Sequence, residues 1–316
     1  MSRAYRLLVA SAACLAFVVV VVGAYVRLSD AGLGCPDWPL CYGQPMPTAI
    51  ADGDALGKAW KEMGHRYLAG TLGALILALT VWSWKSKRRR GLASSILALV
   101  LFQATLGAWT VTMLLKPAIV TAHLLGGMSI LGLLAWLALS ESRHRPMPQA
   151  RQLRVPAAIA LGVLALQIAL GGWVSSNYAA LACPDVPLCL GSAAPPMDFA
   201  NAFHVLRELG QTPDGALLSR EALTAIHWSH RMFALVAVAV IGWAAYRATR
   251  VSRTLAGLVA GLLVVQFSIG VANVVVSRPL ALAAAHNAGA AALLVSLVVL
   301  NFFAFRAPGA VPPAPT

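Results

Sequence analysis

Long apolar runs alternate along the chain with short polar connections. Eight runs of about 20 residues carry few charges, at 7–27, 63–84, 92–113, 119–139, 155–175, 223–245, 254–276 and 283–305. A helix of that length rises about 30 Å, the thickness of a bilayer's hydrocarbon core, so each run predicts a membrane-spanning helix. The first run is longer than the apolar part of a signal peptide, and no clear small-residue cleavage site follows it. It is therefore read as a retained helix. Cys14, after "VASAA", only weakly resembles a lipid-attachment site and is read as an ordinary helix-face cysteine. Composition agrees: 59% hydrophobic and 11% charged, with a mean hydropathy of +0.75, the 316 residues hold more apolar surface than a soluble fold could hide.

Charge placement changes the picture more than its total. A net charge of +13 invites a nucleic-acid partner. With the N-terminus inside, however, the loops "KSKRRR" (85–90), "ESRHRPMPQARQLR" (141–154) and "YRATRVSR" (246–253) and the two tails hold 15 of the 24 Lys and Arg residues and one of the 11 acids. An excess of Lys and Arg in short loops marks the cytoplasmic side. The basic residues are thus a topology signal rather than a nucleic-acid footprint, and they place both termini inside.

The polar connections on the opposite side contain a repeat. "GAYVRLSDAGLGCPDWPLC" from Gly23 returns in register as "GGWVSSNYAALACPDVPLC" from Gly171. "GHRYLAGTLGAL" from Gly64 answers "SHRMFALVAVAV" from Ser229. "QATLGAWTVTMLLKPAIVTAHLLGG" from Gln103 answers "QFSIGVANVVVSRPLALAAAHNAGA" from Gln266, with 20 residues from Gln to His in both. The expected fold is an all-α integral membrane protein whose eight transmembrane helices form two pseudo-symmetric four-helix bundles, parallel repeats about an axis along the membrane normal. Its divisions are an N-terminal half at 1–140, a cytoplasmic linker at 141–154, a C-terminal half at 155–306 and a cytoplasmic tail at 307–316.

Each half carries a Cys-x5-Cys loop on the outer side, where an oxidising compartment lets disulfides persist. Cys35 with Cys41, and Cys183 with Cys189, are each expected to close a short loop stiffened by two prolines. Two cysteines alone are too few donors for a zinc site.

Five histidines lie at or near outer helix ends: His65 and His123 in the first half, and His227, His230 and His286 in the second. Ionisable residues in spanning segments are costly and usually face the bundle interior for a function. His65 with His123, and His230 with His286, come from alternate helices of one four-helix unit and can face each other across its axis. Two imidazoles beside an apolar slot suit haem iron; another metal, or hydrogen-bonded histidines that ligate nothing, are the competing readings.

The loop "GLGCPDWPLCYG", the "ExxHR" at Glu62–Arg66, "AHLLGG" at Ala122 and "AHNAGA" at Ala285 resemble the haem A synthase family of cytochrome oxidase assembly proteins. The eight helices, the duplicated halves and the paired outer cysteines match it too. The resemblance implies an oxidoreductase that converts the C8 methyl of haem O to a formyl group by successive hydroxylations and loss of water. It implies haem O as substrate on His65 and His123, and a resident haem b cofactor on His230 and His286 that passes electrons onward. It makes Glu62 the family's essential carboxylate. Implied partners are haem O synthase and cytochrome oxidase assembly factors, with an electron acceptor that no residue here names; a homo-oligomer is compatible. The short N-terminus lacks an Arg- and Ser-rich targeting segment, so a bacterial cytoplasmic membrane is expected.

Beside the resemblance, the residues keep plainer readings. Glu62 and His65, three apart, share a helix face, where a carboxylate can accept a proton; it could equally be an acid favoured by a helix N-terminus. Arg66 and Arg231 are candidates for haem propionates or for snorkelling at the interface. Gly126, Gly127 and Gly289 admit either a porphyrin or a packed helix. His227 stands where the first half has Glu62, so it competes with His230 as a ligand. The longer second outer loop, with His204, is either an amphipathic cover or a solvated linker. A di-haem b electron-transfer subunit would need the four histidines but not Glu62, and a transporter would be expected to show broken mid-membrane helices.

Overall fold

The computed structural model describes residues 3–48, 53–142, 144 and 147–306. Its helices are α1 (Arg3–Leu28), α2 (Gly53–Lys85), α3 (Arg90–Thr112), α4 (Pro117–Glu141), α5 (Arg154–Ser176), the single turn α6 (Phe199–Ala202), α7 (Arg220–Ala248), α8 (Arg253–Val275) and α9 (Leu280–Arg306). All but α6 are long and apolar enough to cross a membrane, and no strand occurs among the described residues beyond isolated bridges. Large apolar side chains stay exposed along these helices, Leu7, Leu101, Val155 and Val264 among them, as a lipid-facing surface requires. The chain is a multi-pass membrane protein. The expected tail at 307–316 lies outside the described residues.

Local sequence sets where the helices begin and end. Ser219 and Ser252 cap α7 and α8 by accepting the amides of Ala222 and Leu255, and Pro117 opens α4 at a position where its missing N–H costs nothing. Helices α3 and α8 stop the same way: Leu114–Leu115 and Ser277–Arg278 turn left-handed, and a proline follows within two residues. One boundary moves. α2 begins at Gly53, ten residues before the apolar run at 63, because Ala59 and Met63 bury an apolar face against the first cysteine loop. Hydropathy marks the part of a helix that lies in lipid, not where the helix starts.

The first four helices close a ring in which α1 packs on α2, α2 on α3, α3 on α4 and α4 on α1. The second ring, α5–α7–α8–α9, repeats this order, and the rings join through α4 and α9, with α1 on α9 and α5 on α4. Exchanging the halves leaves this pattern of main contacts unchanged. Between lipid-solvated helices there is little hydrophobic force, so close packing must hold the rings together. The shared core supplies it with small residues (Ala12, Ala16, Ala157, Ala160, Ala244) between larger ones such as Ile76, Leu134, Leu297 and Leu300. Polar ties add less each, about 0.6 kcal/mol on average for an interhelical bond in lipid. One is Asn301 Nδ2 to the Ala157 carbonyl at 2.8 Å. Another is Arg27, whose guanidinium donates to the Ser175 carbonyl at 3.0 Å across the junction. Arg27 and Ser175 are equivalent positions of the sequence repeat, so matching residues touch where the halves meet.

Both cysteine loops lie at one end of the bundle and the basic turns at the other. At 33 residues α2 is about 50 Å long, well over the ~30 Å of hydrocarbon, so its first turns stand clear of the core on the cysteine-loop side. The long second connection is anchored to the bundle at several points while Leu206 and Leu217 stay exposed. Trp173 Nε1 donates to the Ala202 carbonyl at 2.9 Å, Arg207 to Asn177 Oδ1 at 2.6 Å, and Lys116 pairs with Glu208 at 2.6 Å. His204 within it is exposed.

Candidate functional site

The two cysteine loops have one design, and the repeated motif explains it. Cys35–Cys41 and Cys183–Cys189 stand as disulfides with Cα atoms 4.8 and 4.7 Å apart, and Cys14 remains free. In the first loop Asp37 accepts the amides of Tyr42 at 2.7 Å and Gly43 at 2.8 Å; in the second, Asp185 accepts those of Leu190 and Gly191 at the same two distances. Gly43 and Gly191 sit at φ of 71° and 73°, which glycine adopts without steric cost. The Gly43 amide is the chief cause holding the Asp37 carboxyl below the usual carboxylate range, and the Gly191 amide does the same for Asp185. The Pro-Asp…Cys-x-Gly pattern therefore encodes a closed, self-bonded loop.

What each loop sits on differs. The first presses its backbone onto α2: a Cβ on Gly34 would lie 2.6 Å from the Lys58 carbonyl carbon, and the second loop has Ala182 at that place. Glu62, 4% exposed, accepts the Cys35 amide at 2.8 Å through one carboxylate oxygen and Arg66 at 2.5 Å through the other. Arg66 also donates to the carbonyls of Asp37 at 2.9 Å and Leu40 at 2.7 Å. In the second half His227 Nδ1 takes the place of Glu62, 3.3 Å from the Cys183 amide, and Arg231 donates to the Asp185 carbonyl at 2.5 Å. Two expectations change here. Glu62 lies nine residues inside α2, too deep for the helix N-terminus to be its reason. Both arginines are engaged with loop carbonyls, which snorkelling alone would not produce; Arg231 keeps a buried Nη1 without a partner.

Four histidines pack in a common way. Each imidazole lies against a glycine of the neighbouring helix, where a Cβ would be 2.8 Å from His65 Cε1 at Gly23, 3.4 Å from His123 at Gly107, 3.0 Å from His230 at Gly171 and 3.0 Å from His286 at Gly270. The expected pairs thus share one kind of seat, an imidazole laid on a glycine of the adjacent helix. Nδ1 of His65, His123 and His286 is buried with no hydrogen-bond partner. His230 meets Gln167 at 3.2 Å, and His286 Nε2 lies 3.4 Å from Gln266 Nε2.

A profile of the family described as cytochrome oxidase assembly protein (COX15-CtaA) matches residues 5–298. The chain belongs to this family. A haem A synthase of Shewanella oneidensis is 42% identical over 306 residues, covering 90% of this chain and 92% of its own length. Haem A synthases of Shouchella clausii (30% identical, 89% of each chain) and Maricaulis maris (28%, 97% of each) are similar over nearly the full length.

Within the cytochrome oxidase assembly fold, several contacts escaped the sequence reading. Gly126 and Gly289 receive the side chains of Gln103 and Gln266, and a Cβ on Gly127 would lie 3.6 Å from Val20, so these glycines serve helix packing. The glycines that face the histidines are Gly23, Gly107, Gly171 and Gly270. The repeat register was their signal, since each pair occupies matched places in the aligned halves.

The donor set can be tested against a haem. Among the described residues no three His, Cys, Asp or Glu side chains gather as a metal site, which leaves two imidazoles per half. That suits a metal already holding four equatorial nitrogens and lacking only axial ones. Each ring is seated on a glycine of the adjacent helix with no third ligand gathered beside it among the described residues, and the residues fit the group.

Proposed function

We propose that this protein is a haem A synthase that oxidises the C8 methyl of haem O to a formyl group. The observation carrying this reading is the asymmetry between two otherwise matched histidine pairs: only His65 and His123 have a buried carboxylate, Glu62, one turn away. His65 and His123 would hold haem O, and His230 and His286 a resident haem b. When bound, haem b supplies a one-electron carrier that takes electrons from the substrate side toward an external acceptor.

Each hydroxylation adds the oxygen of water to the methyl carbon and releases two electrons and two protons. After the second, loss of water from the geminal diol leaves the aldehyde. Glu62 accepts protons and orients water; Arg66 and the Cys35 amide fix both its oxygens, so its direction is set before substrate arrives. His227 does for the second loop what Glu62 does for the first, bonding the Cys183 amide, which supports His230 as the ligand in that half. The excess of Lys and Arg in the loops at 85–90, 141–154 and 246–253 and in the tails supports a cytoplasmic position for them in a bacterial inner membrane, with the cysteine loops and both sites toward the outer face. The two rings act as halves 1–140 and 155–306 about a two-fold axis near Arg27 and Ser175. Haem O synthase fits as a partner because it would deliver the substrate.

The test is pigment extraction from protein purified after expression with a haem O source, resolving haems B, O and A by chromatography. Haem B together with haem A is expected. Haem B alone would replace this reading with a di-haem b electron-transfer subunit.

A further inference from the structure

Of the four paired histidines, only His230 has a side-chain partner at Nδ1, while the Gln103 and Gln266 backbones lie within bonding reach of the His123 and His286 rings. Gln167 on α5 places its amide nitrogen 3.2 Å from His230 Nδ1 and 3.2 Å from the His230 carbonyl oxygen. The one side-chain bond of His286 falls instead on Nε2, where it would yield to a metal. Gln167 stands one turn before Gly171, the glycine that backs His230. One turn before Gly23, which backs His65, the first half has Val19. Besides the exchange of Glu62 for His227, the two halves thus differ at the position one turn before these glycines.

An imidazole bound to iron through Nε2 carries its proton on Nδ1 and needs an acceptor there. Gln167 Oε1 is a buried oxygen without a partner. A half-turn of the amide brings it to Nδ1, where it accepts that proton. Without metal, the amide nitrogen donates to Nδ1, as in the structure. One side chain serves both tautomers, and Val19 can serve neither.

We propose that Gln167 is the positioning residue that makes the second half a haem-retaining site, and that Val19 leaves the first half an exchangeable one. A substrate site must release its product, whereas an electron carrier must stay. The inference rests on the reading of His230 and His286 as ligands of a resident haem b. Support from such an outer partner fixes the ring and raises its basicity, and its loss costs roughly 10–100-fold in metal affinity.

Wild type and the variants Gln167→Leu, Gln167→Glu, Val19→Gln and His230→Ala are purified in detergent. The measurements are haem b per chain, the rate of haem loss to an apomyoglobin trap, and the midpoint potential. Gln167→Leu should lose haem b roughly 10–100 times faster. Its potential should rise, by about 59 mV for each tenfold loss of ferric over ferrous affinity. Gln167→Glu, a stronger acceptor, should lower the potential, a change that a packing role would not produce. Val19→Gln should slow release of haem from the first half. Wild-type loss rate and potential in Gln167→Leu would overturn the proposal, as would an unmoved potential in Gln167→Glu. If His230→Ala keeps its haem b, the ligand assignment fails first and carries the proposal with it.

Discussion

Replacing Glu62 by glutamine separates chemistry from scaffolding. The structure sets the scaffolding cost. The glutamine oxygen can still accept the Cys35 amide, now 2.8 Å from the carboxylate. What disappears is the acceptor facing Arg66 at 2.5 Å, where the glutamine NH2 would meet another donor, while that guanidinium keeps the Asp37 and Leu40 carbonyls. Losing one charge-assisted bond of this kind costs about 1.5–3 kcal/mol, and here the partner is left partly satisfied rather than bare. A general base contributes roughly 10²–10⁴-fold in rate, about 2.7–5.4 kcal/mol of barrier. Chemistry should therefore suffer more than folding. Glu62→Gln is expected in the membrane with full haem B and bound haem O, making haem A at least about 100 times more slowly. Glu62→His, which copies the loop contact of His227, should keep the first loop in place. The assay is the ratio of haems B, O and A extracted from purified protein, with the hydroxylated intermediate resolved. Near-wild-type haem A from Glu62→Gln would refute the proton-transfer role and leave Glu62 as a loop anchor.

Four other outcomes are expected. His230→Ala or His286→Ala should remove the resting b-type spectrum, whereas His65→Ala or His123→Ala should preserve it and abolish product; bleaching by His227→Ala alone would reverse the assignment in the second half. Cys35–Cys41 and Cys183–Cys189 should resist alkylation until reduced, with a Cys35–Cys183 link by mass spectrometry as the contrary result; removing a clip should cost a few kcal/mol at most. Asp37 and Asp185 have carboxyls lowered in the folded protein, so their contribution is full above the unfolded value near ~3.9 and fades as pH falls through the lower folded value. Amides of Tyr42, Gly43, Leu190 and Gly191 should thus stay protected from exchange, relative to their intrinsic rates, at about pH 5 and lose that protection only below about pH 4. A reporter fused after Arg90 should behave as cytoplasmic and one placed between Cys189 and Glu221 as external; the opposite pattern would overturn the proposed sidedness.

Much of this protein was written in one dimension because the bilayer simplifies the problem. A backbone in lipid must satisfy its own hydrogen bonds, so eight apolar runs of spanning length had to become eight helices. The duplication was visible because repeat-equivalent residues recur in register, and it named His65, His123, His230 and His286 together. The cysteine pairs were legible for a similar reason, since a closed loop of seven residues has few other partners within reach. The tertiary structure decided what those residues touch. Glu62, with the same sequence distance to His65 in any packing, could have faced lipid, water or a helix end; only the seating of the first cysteine loop on α2 buries it between Cys35 and Arg66. The glycines behind the histidines were equally hidden, because contact between neighbouring helices depends on rotation and crossing rather than on spacing. Gln167 shows the limit most clearly. In the chain it is one polar residue in an apolar run, and only the packing of α5 on α7 sets its amide beside one histidine of four.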